Sequence, residues 1–264
     1  MYVSGIIEKM ETQLAQEVLY WLPLGDERIL MNEFIGEAIS LKYNHQINCI
    51  ICGRKTAKSF AQGLCFTCFS KSPENSECII RPELCSGHLG QGRNAEWELE
   101  HHVKPHYVYL AASSDIKVGV TRDTQIPTRW IDQGADAALL FAKTPNRYLA
   151  GLMEVNLKNH LTDRTDWRKM LRGEKTEKNI LEIKHSLRQF LSPEFQAYFI
   201  EDDTLTFIHY PLITSPEKVT SIGLEKTPLV EGVLNGIKGQ YLIFDTGNVI
   251  NIRAHGGYNI TLEA

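Results

Sequence analysis

The chain has 264 residues, 43% of them hydrophobic and 9% aromatic, which is enough for one large core or several small ones and too apolar for a disordered chain. Its 28 Lys and Arg against 32 Asp and Glu give a formal net charge of −4, so there is no global attraction to nucleic acid or anionic lipid, and any polyanion must be held by local basic patches. No stretch approaches the roughly 18 consecutive apolar residues of a membrane span, and residues 1–11 lack the basic start and apolar run of a signal peptide; a cytoplasmic protein without a membrane partner is expected.

Residues 1–48 read as a β-rich segment. Apolar residues recur near alternate positions over 17–22 and 37–43, with Pro23, Gly25 and Asp26 as turn residues between them, and residues 6–16 are compatible with a helix. Residues 49–105 contain every cysteine and little periodicity of either kind, which predicts a module folded around metal. From His106 to residue 200 the pattern becomes α/β: strands over 107–112, 117–121 and 137–142, a short helix over 127–133, and amphipathic helices over 148–160 and 176–191, the last stopped by Pro193. The tail, 201–264, is β-rich again, with strands over 239–244 and 249–253 joined by Asp245-Thr246-Gly247-Asn248. The expected class is α+β: a small antiparallel-sheet central domain, a zinc ribbon-like module, and terminal β segments able to pack together.

Cys49-Ile-Ile-Cys52 and Cys65-Phe-Thr-Cys68 are two C-x-x-C knuckles twelve residues apart, a spacing that brings four thiolates onto one tetrahedral Zn²⁺. Gly53 allows the tight turn that aims amides at the sulfurs. Because four protein ligands leave no open position, this zinc is expected to be structural. A second zinc is expected if Cys78, Cys85 and His88 act together, with His101 or His102 as fourth ligand.

Tyr107-Val108-Tyr109-Leu110, followed by Lys117-Val118-Gly119-Val120-Thr121-Arg122, resembles the paired opening strands of the GIY-YIG nuclease superfamily; Arg129 in Pro127-Thr128-Arg129-Trp130 and Glu154 in Leu152-Met153-Glu154-Val155 fall where that family has its helix arginine and metal-binding glutamate. The resemblance covers about residues 106–170. It implies a three-stranded antiparallel sheet with helices around it and metal-dependent phosphodiester hydrolysis, with Glu154 binding Mg²⁺, Tyr109 activating water and Arg129 steadying the phosphate. Tyr107 stands in place of the usual first glycine and Lys117 in place of the second tyrosine. The chain as a whole, including Cys52-Gly-Arg-Lys-Thr56 and Gly239-Gln-Tyr-Leu-Ile-Phe-Asp245, is also similar to a bacterial zinc-ribbon-containing family without an assigned function.

Basic residues that cluster locally also suit phosphate contact: Arg54, Lys55 and Lys58 beside the first knuckle, and Arg164, Arg168, Lys169, Arg172 and Lys175 after the Glu154 helix, with Lys117 and Arg122 on the second strand. Nucleic acid, DNA or RNA, is thus the expected partner. Three functions follow in order: a zinc-containing nuclease, a zinc-stabilised nucleic-acid binder that has the fold without the chemistry, and a protein-interaction adaptor.

Overall fold

The computed structural model describes residues 1–161 and 166–264; Arg164, one of the basic residues singled out above, lies outside the described residues. In chain order the first part contains β1 (Tyr2–Ile6), β2 (Glu11–Gln13), β3 (Leu19–Leu24), β4 (Glu27–Leu30) and β5 (Ala38–Asn48). Alternation fixes their faces: β3 buries Tyr20, Leu22 and Leu24, and β5 buries Ile39, Leu41, Tyr43 and Ile47. β2, β3 and β4 form their own three-stranded sheet.

The helix expected over residues 6–16 is not formed. Ile7 bridges Leu24 and donates its amide to Tyr258 O at 2.9 Å, while Met10 donates to Gln240 Oε1 at 2.9 Å. Ile7 and Met10 are both fully buried, so partners distant in sequence and burial from two sides outweigh a modest helix propensity.

The metal module follows with β6 (Lys55–Thr56), α1 (Phe66–Lys71), a run of single 3₁₀ turns, and α2 (Ala95–His102). Then come β7 (His106–Ala112), β8 (Ile116–Arg122), α3 (Thr128–Asp132), β9 (Ala137–Thr144), α4 (Arg147–Lys158), α5 (Trp167–Leu171), α6 (Ile180–Arg188), α7 (Pro193–Gln196) and β10 (Thr206–Phe207). Their strands make an antiparallel sheet in the order β10-β9-β7-β8. Asparagine begins each longer helix: Asn94, Asn146 and Asn179 accept from Trp97 N, Leu149 N and Leu181 N, each at 3.0 Å. Asn179 is why α6 starts at Ile180 and not at Thr176, whose amide goes to Ser113 O instead.

The two faces of this sheet pack on different cores. Val108, Leu110, Val118 and Phe141 meet Ala150, Met153 and Leu157 of α4 and Ile180 and Leu187 of α6. Tyr109, Ala111 and Ala138 face the other way and join the core of the terminal strands together with Trp130 and Ile131 of α3.

The chain closes with β11 (Thr220–Ile222), β12 (Leu229–Lys238), β13 (Tyr241–Phe244), β14 (Asn248–Asn251) and β15 (Tyr258–Glu263). They join β1 and β5 in one large sheet ordered β1-β15-β5-β12-β13-β14-β11, with β6 paired to β5. All contacts in it are antiparallel except the β11–β14 pair. Strands from both ends of the chain therefore share a sheet, and the metal module and the β7–β10 sheet lie in sequence between β5 and β11. The class is α+β. Among the described residues no helix is long and apolar enough to cross a membrane.

Candidate metal centres and an arginine-lined cleft

The first cluster forms where β5 ends. Cys49 and Cys52 flank a turn in which Gly53, at φ +69°, donates its amide to Cys49 O at 2.8 Å; Cys65 and Cys68 lie at the start of α1. The four sulfurs lie within 4.8 Å of one another, and Cys52 Sγ is 3.8 Å from Cys65 Sγ. Four Zn–S bonds of about 2.3 Å in a tetrahedron place sulfurs roughly 3.8 Å apart, so the set fits zinc. All four cysteines are free thiols. Burial opposes ionisation of Cys49, but the amides of Cys65, Cys52 and Ile51 bring its pKa down to about 6, which favours the thiolate that a metal needs. Zinc held here would tie the 49–52 turn to α1 and leave no open coordination position.

A second cluster gathers Cys78, Cys85, Glu98 and His102, every one of them buried. His102 Nδ1 lies 3.6 Å from Cys85 Sγ and 3.9 Å from Cys78 Sγ, and it contacts Glu98 Oε2. Glu98 and His102 stand one turn apart on α2, so both side chains reach the same point. The Cys78 thiol hydrogen-bonds to Cys85 and lowers its pKa, helped by His102 and the Gly87 amide. Two thiols, an imidazole and a carboxylate sealed from water are a costly set without a cation among them, and a Cys₂-His-Glu set is a zinc-type donor set.

This cluster corrects one expected ligand and adds another. His88 stands apart, exposed, with its ring stacked on Tyr148 at 4.5 Å. His101 turns away and bonds Trp97 O through Nδ1 at 2.9 Å, which leaves His102 as the histidine of the set. Glu98 takes the fourth place. Its signal in the sequence was the four-residue spacing to His102, hidden among the flanking Glu96 and Glu100.

The three residues of the nuclease resemblance are placed differently from one another. Tyr109 is fully buried, and its hydroxyl donates to Gln133 Oε1 at 3.0 Å; burial pushes its pKa up, against the nearby Arg129. Glu154 is buried on α4, where Lys158 Nζ lies 3.4 Å from Oε1, and burial raises its pKa although Lys158 and Arg147 oppose the rise. Arg129 alone of the three opens onto a cleft. Lys117, on the same face of β8 as Gly119, is half-buried and also outside that cleft; burial, and after it Arg129, lowers its pKa to about 8.

The cleft has a volume of about 320 Å³. Arg122 at the end of β8, Gln125 of the turn that follows and Arg129 of α3 line it together with Trp97, His101 and His102 of α2 and Ile79 of the metal loop, and Glu74 is the one carboxylate in this lining. Arg147 closes it at the start of α4. Its guanidinium donates to Cys78 O and Ile79 O, each at 2.9 Å, and so fastens the loop of the second metal cluster to the cleft. Among the described residues, arginine–carboxylate pairs form at Arg28, Arg81, Arg172 and Arg188 and not at Arg122 or Arg129.

The remaining basic residues lie elsewhere. Arg54, Lys55 and Lys58 are exposed next to the first cluster, Lys58 over the Phe60 ring. Arg168 covers Trp167, and Arg172 is held by Glu174 at 2.6 Å.

No curated protein and no solved structure matches the chain. A family model described as "Protein of unknown function (DUF2797)" matches residues 36–260, from just before β5 through the first half of β15. That span takes in both metal clusters and the whole arginine-lined cleft, and over it the chain belongs to the DUF2797 family.

Proposed function

We propose that this is a zinc-stabilised nucleic-acid-binding protein whose cleft grips phosphodiester groups with Arg122 and Arg129. The observation that carries this reading is the convergence of three arginines in one concavity, none of which forms an ion pair with a carboxylate among the described residues. Arginine presents a fork of donors that matches phosphate oxygens, and a cation left unpaired in a polar cleft is available for an anionic ligand. Zinc serves the architecture: the second centre holds α2 and the 78–85 loop as one wall.

Hydrolysis is less well supported than binding. A water-activating tyrosine must reach the reacting phosphate, and Tyr109 instead ends on Gln133 within the core. A Mg²⁺ ligand must face water and substrate, and Glu154 is closed in beside Lys158. The resemblance to the GIY-YIG nucleases rests on the sequence motifs alone, and this reading requires zinc and not Mg²⁺. A protein-interaction role draws support from Ile50, Ile51 and Phe66, exposed by 43%, 44% and 64% around the first knuckle.

Fluorescence anisotropy with labelled DNA and RNA over a series of salt concentrations tests the proposal. Wild-type affinity should fall with salt, and Arg122→Ala and Arg129→Ala should each reduce the log–log slope by about 0.7–0.9. Absence of binding, or binding indifferent to salt, would move the weight to the adaptor.

A further inference from the structure

Resting on that reading, we infer that the cleft takes a single unpaired nucleotide, in single-stranded DNA or RNA, and does not bind along duplex. Shape is the first argument. Duplex grooves are read by a helix or ribbon that protrudes into them, whereas here the arginines line the inside of a concavity between β8 and α2. The nucleic acid must enter the protein. A volume of about 320 Å³ sits at the low end of small-molecule pockets, ~300–1,000 Å³, and admits one nucleotide but no stretch of paired strand.

The lining supplies the second argument, because it has partners for each part of a nucleotide. Arg122 and Arg129 serve the phosphate. Trp97 and His101 lie stacked, 4.2 Å apart with their planes 6° from parallel, and both line the cleft. Flat rings are the usual platform for an unstacked base, a contact that tolerates any base because each has a π-face. The exposed Gln125 adds an amide group for a base edge or a ribose hydroxyl. Phosphate contact and base stacking within one cleft require a base turned out of its helix, which costs least when the strand is already unpaired.

The test compares short single-stranded DNA, single-stranded RNA and blunt duplex of the same sequence on the zinc-replete full chain. Single strands should bind about tenfold more tightly than duplex, and Trp97→Leu should erase most of that preference while Trp97→Phe retains it. Zinc content is measured on each variant, because Trp97 adjoins Glu98. Gln125→Trp, at an exposed position, provides a second route: it fills the cleft and should abolish single-strand binding with the fold and metal content intact. Equal affinity for duplex and single strand, unmoved by Trp97→Leu and Gln125→Trp, would overturn the unpaired-nucleotide inference and leave nucleic-acid binding standing. No binding to any of the three would overturn both. Preference for RNA over DNA would place the 2′-hydroxyl in the cleft; equal binding of the two supports contact through phosphate and base alone.

Discussion

Gly119 lies directly across the β7–β8 ladder from Tyr109, and a Cβ at position 119 would come within 2.5 Å of Tyr109 Oη. The tyrosine ring therefore lies over its neighbour's bare backbone, and this packing, together with Gln133, seals the hydroxyl. Gly119→Ala forces the ring or the strand to move and should cost about 1–3 kcal/mol. Tyr109→Phe should cost about 1 kcal/mol through the lost hydrogen bond and the unpaired Gln133 amide oxygen. Urea unfolding and binding assays on the same preparations check both; a Tyr109→Phe protein of full stability and impaired function would assign the tyrosine to the site.

Metal content should approach two zinc ions per chain, one for each cluster. Glu98→Ala should remove about one, as should Cys85→Ser, whereas His88→Ala should leave the stoichiometry unchanged. Chelation should also lower the unfolding temperature, because both centres join segments that have little other core. Elemental analysis decides it, and zinc retained in Glu98→Ala but lost in His88→Ala would reverse the ligand assignment.

Lys117 gives stability a pH dependence of its own. Burial, and then the neighbouring Arg129, lowers its pKa to about 8 in the folded chain, while an unfolded lysine titrates near ~10.4. Between those values the unfolded state binds more protons, so this group's contribution to stability rises with pH; its cost is fully present below about pH 8 and is relieved toward about pH 10. Lys117→Met should therefore be more stable than wild type at about pH 7.5, with a gap that narrows by about pH 9.5. Urea midpoints at the two pH values report it. A gap independent of pH would mean that the ammonium is not desolvated.

Much of this was legible in the sequence where the signal is local. Two C-x-x-C pairs are enough to place Cys49, Cys52, Cys65 and Cys68 together, and alternation marks β3 and β5. Strands were expected over 107–112 and 117–121, and they do pair, but that Tyr109 stands opposite Gly119 with its ring closed over the glycine shows only in the third dimension. Glu98 was unreadable because Glu96, Glu98 and Glu100 look alike until the 78–85 loop folds over one of them. Arg147 likewise reads as a helix-surface charge, and its part in the cleft depends on carbonyls at 78 and 79, about seventy residues earlier. Residues 6–16 failed for the opposite reason: a sequence compatible with a helix is held as bridge and strand by partners distant in the chain.

The most direct measurement is a paired binding and cleavage assay on wild type, Arg129→Ala and Glu154→Gln, with Mg²⁺ and zinc-replete protein. Wild type and Glu154→Gln should bind nucleic acid equally and leave it intact, while Arg129→Ala should bind about tenfold or more weakly, the loss of a charge-assisted contact worth ~1.5–3 kcal/mol. Mg²⁺-dependent cleavage by wild type that disappears in Glu154→Gln would contradict a binding role and make Glu154 a catalytic metal ligand.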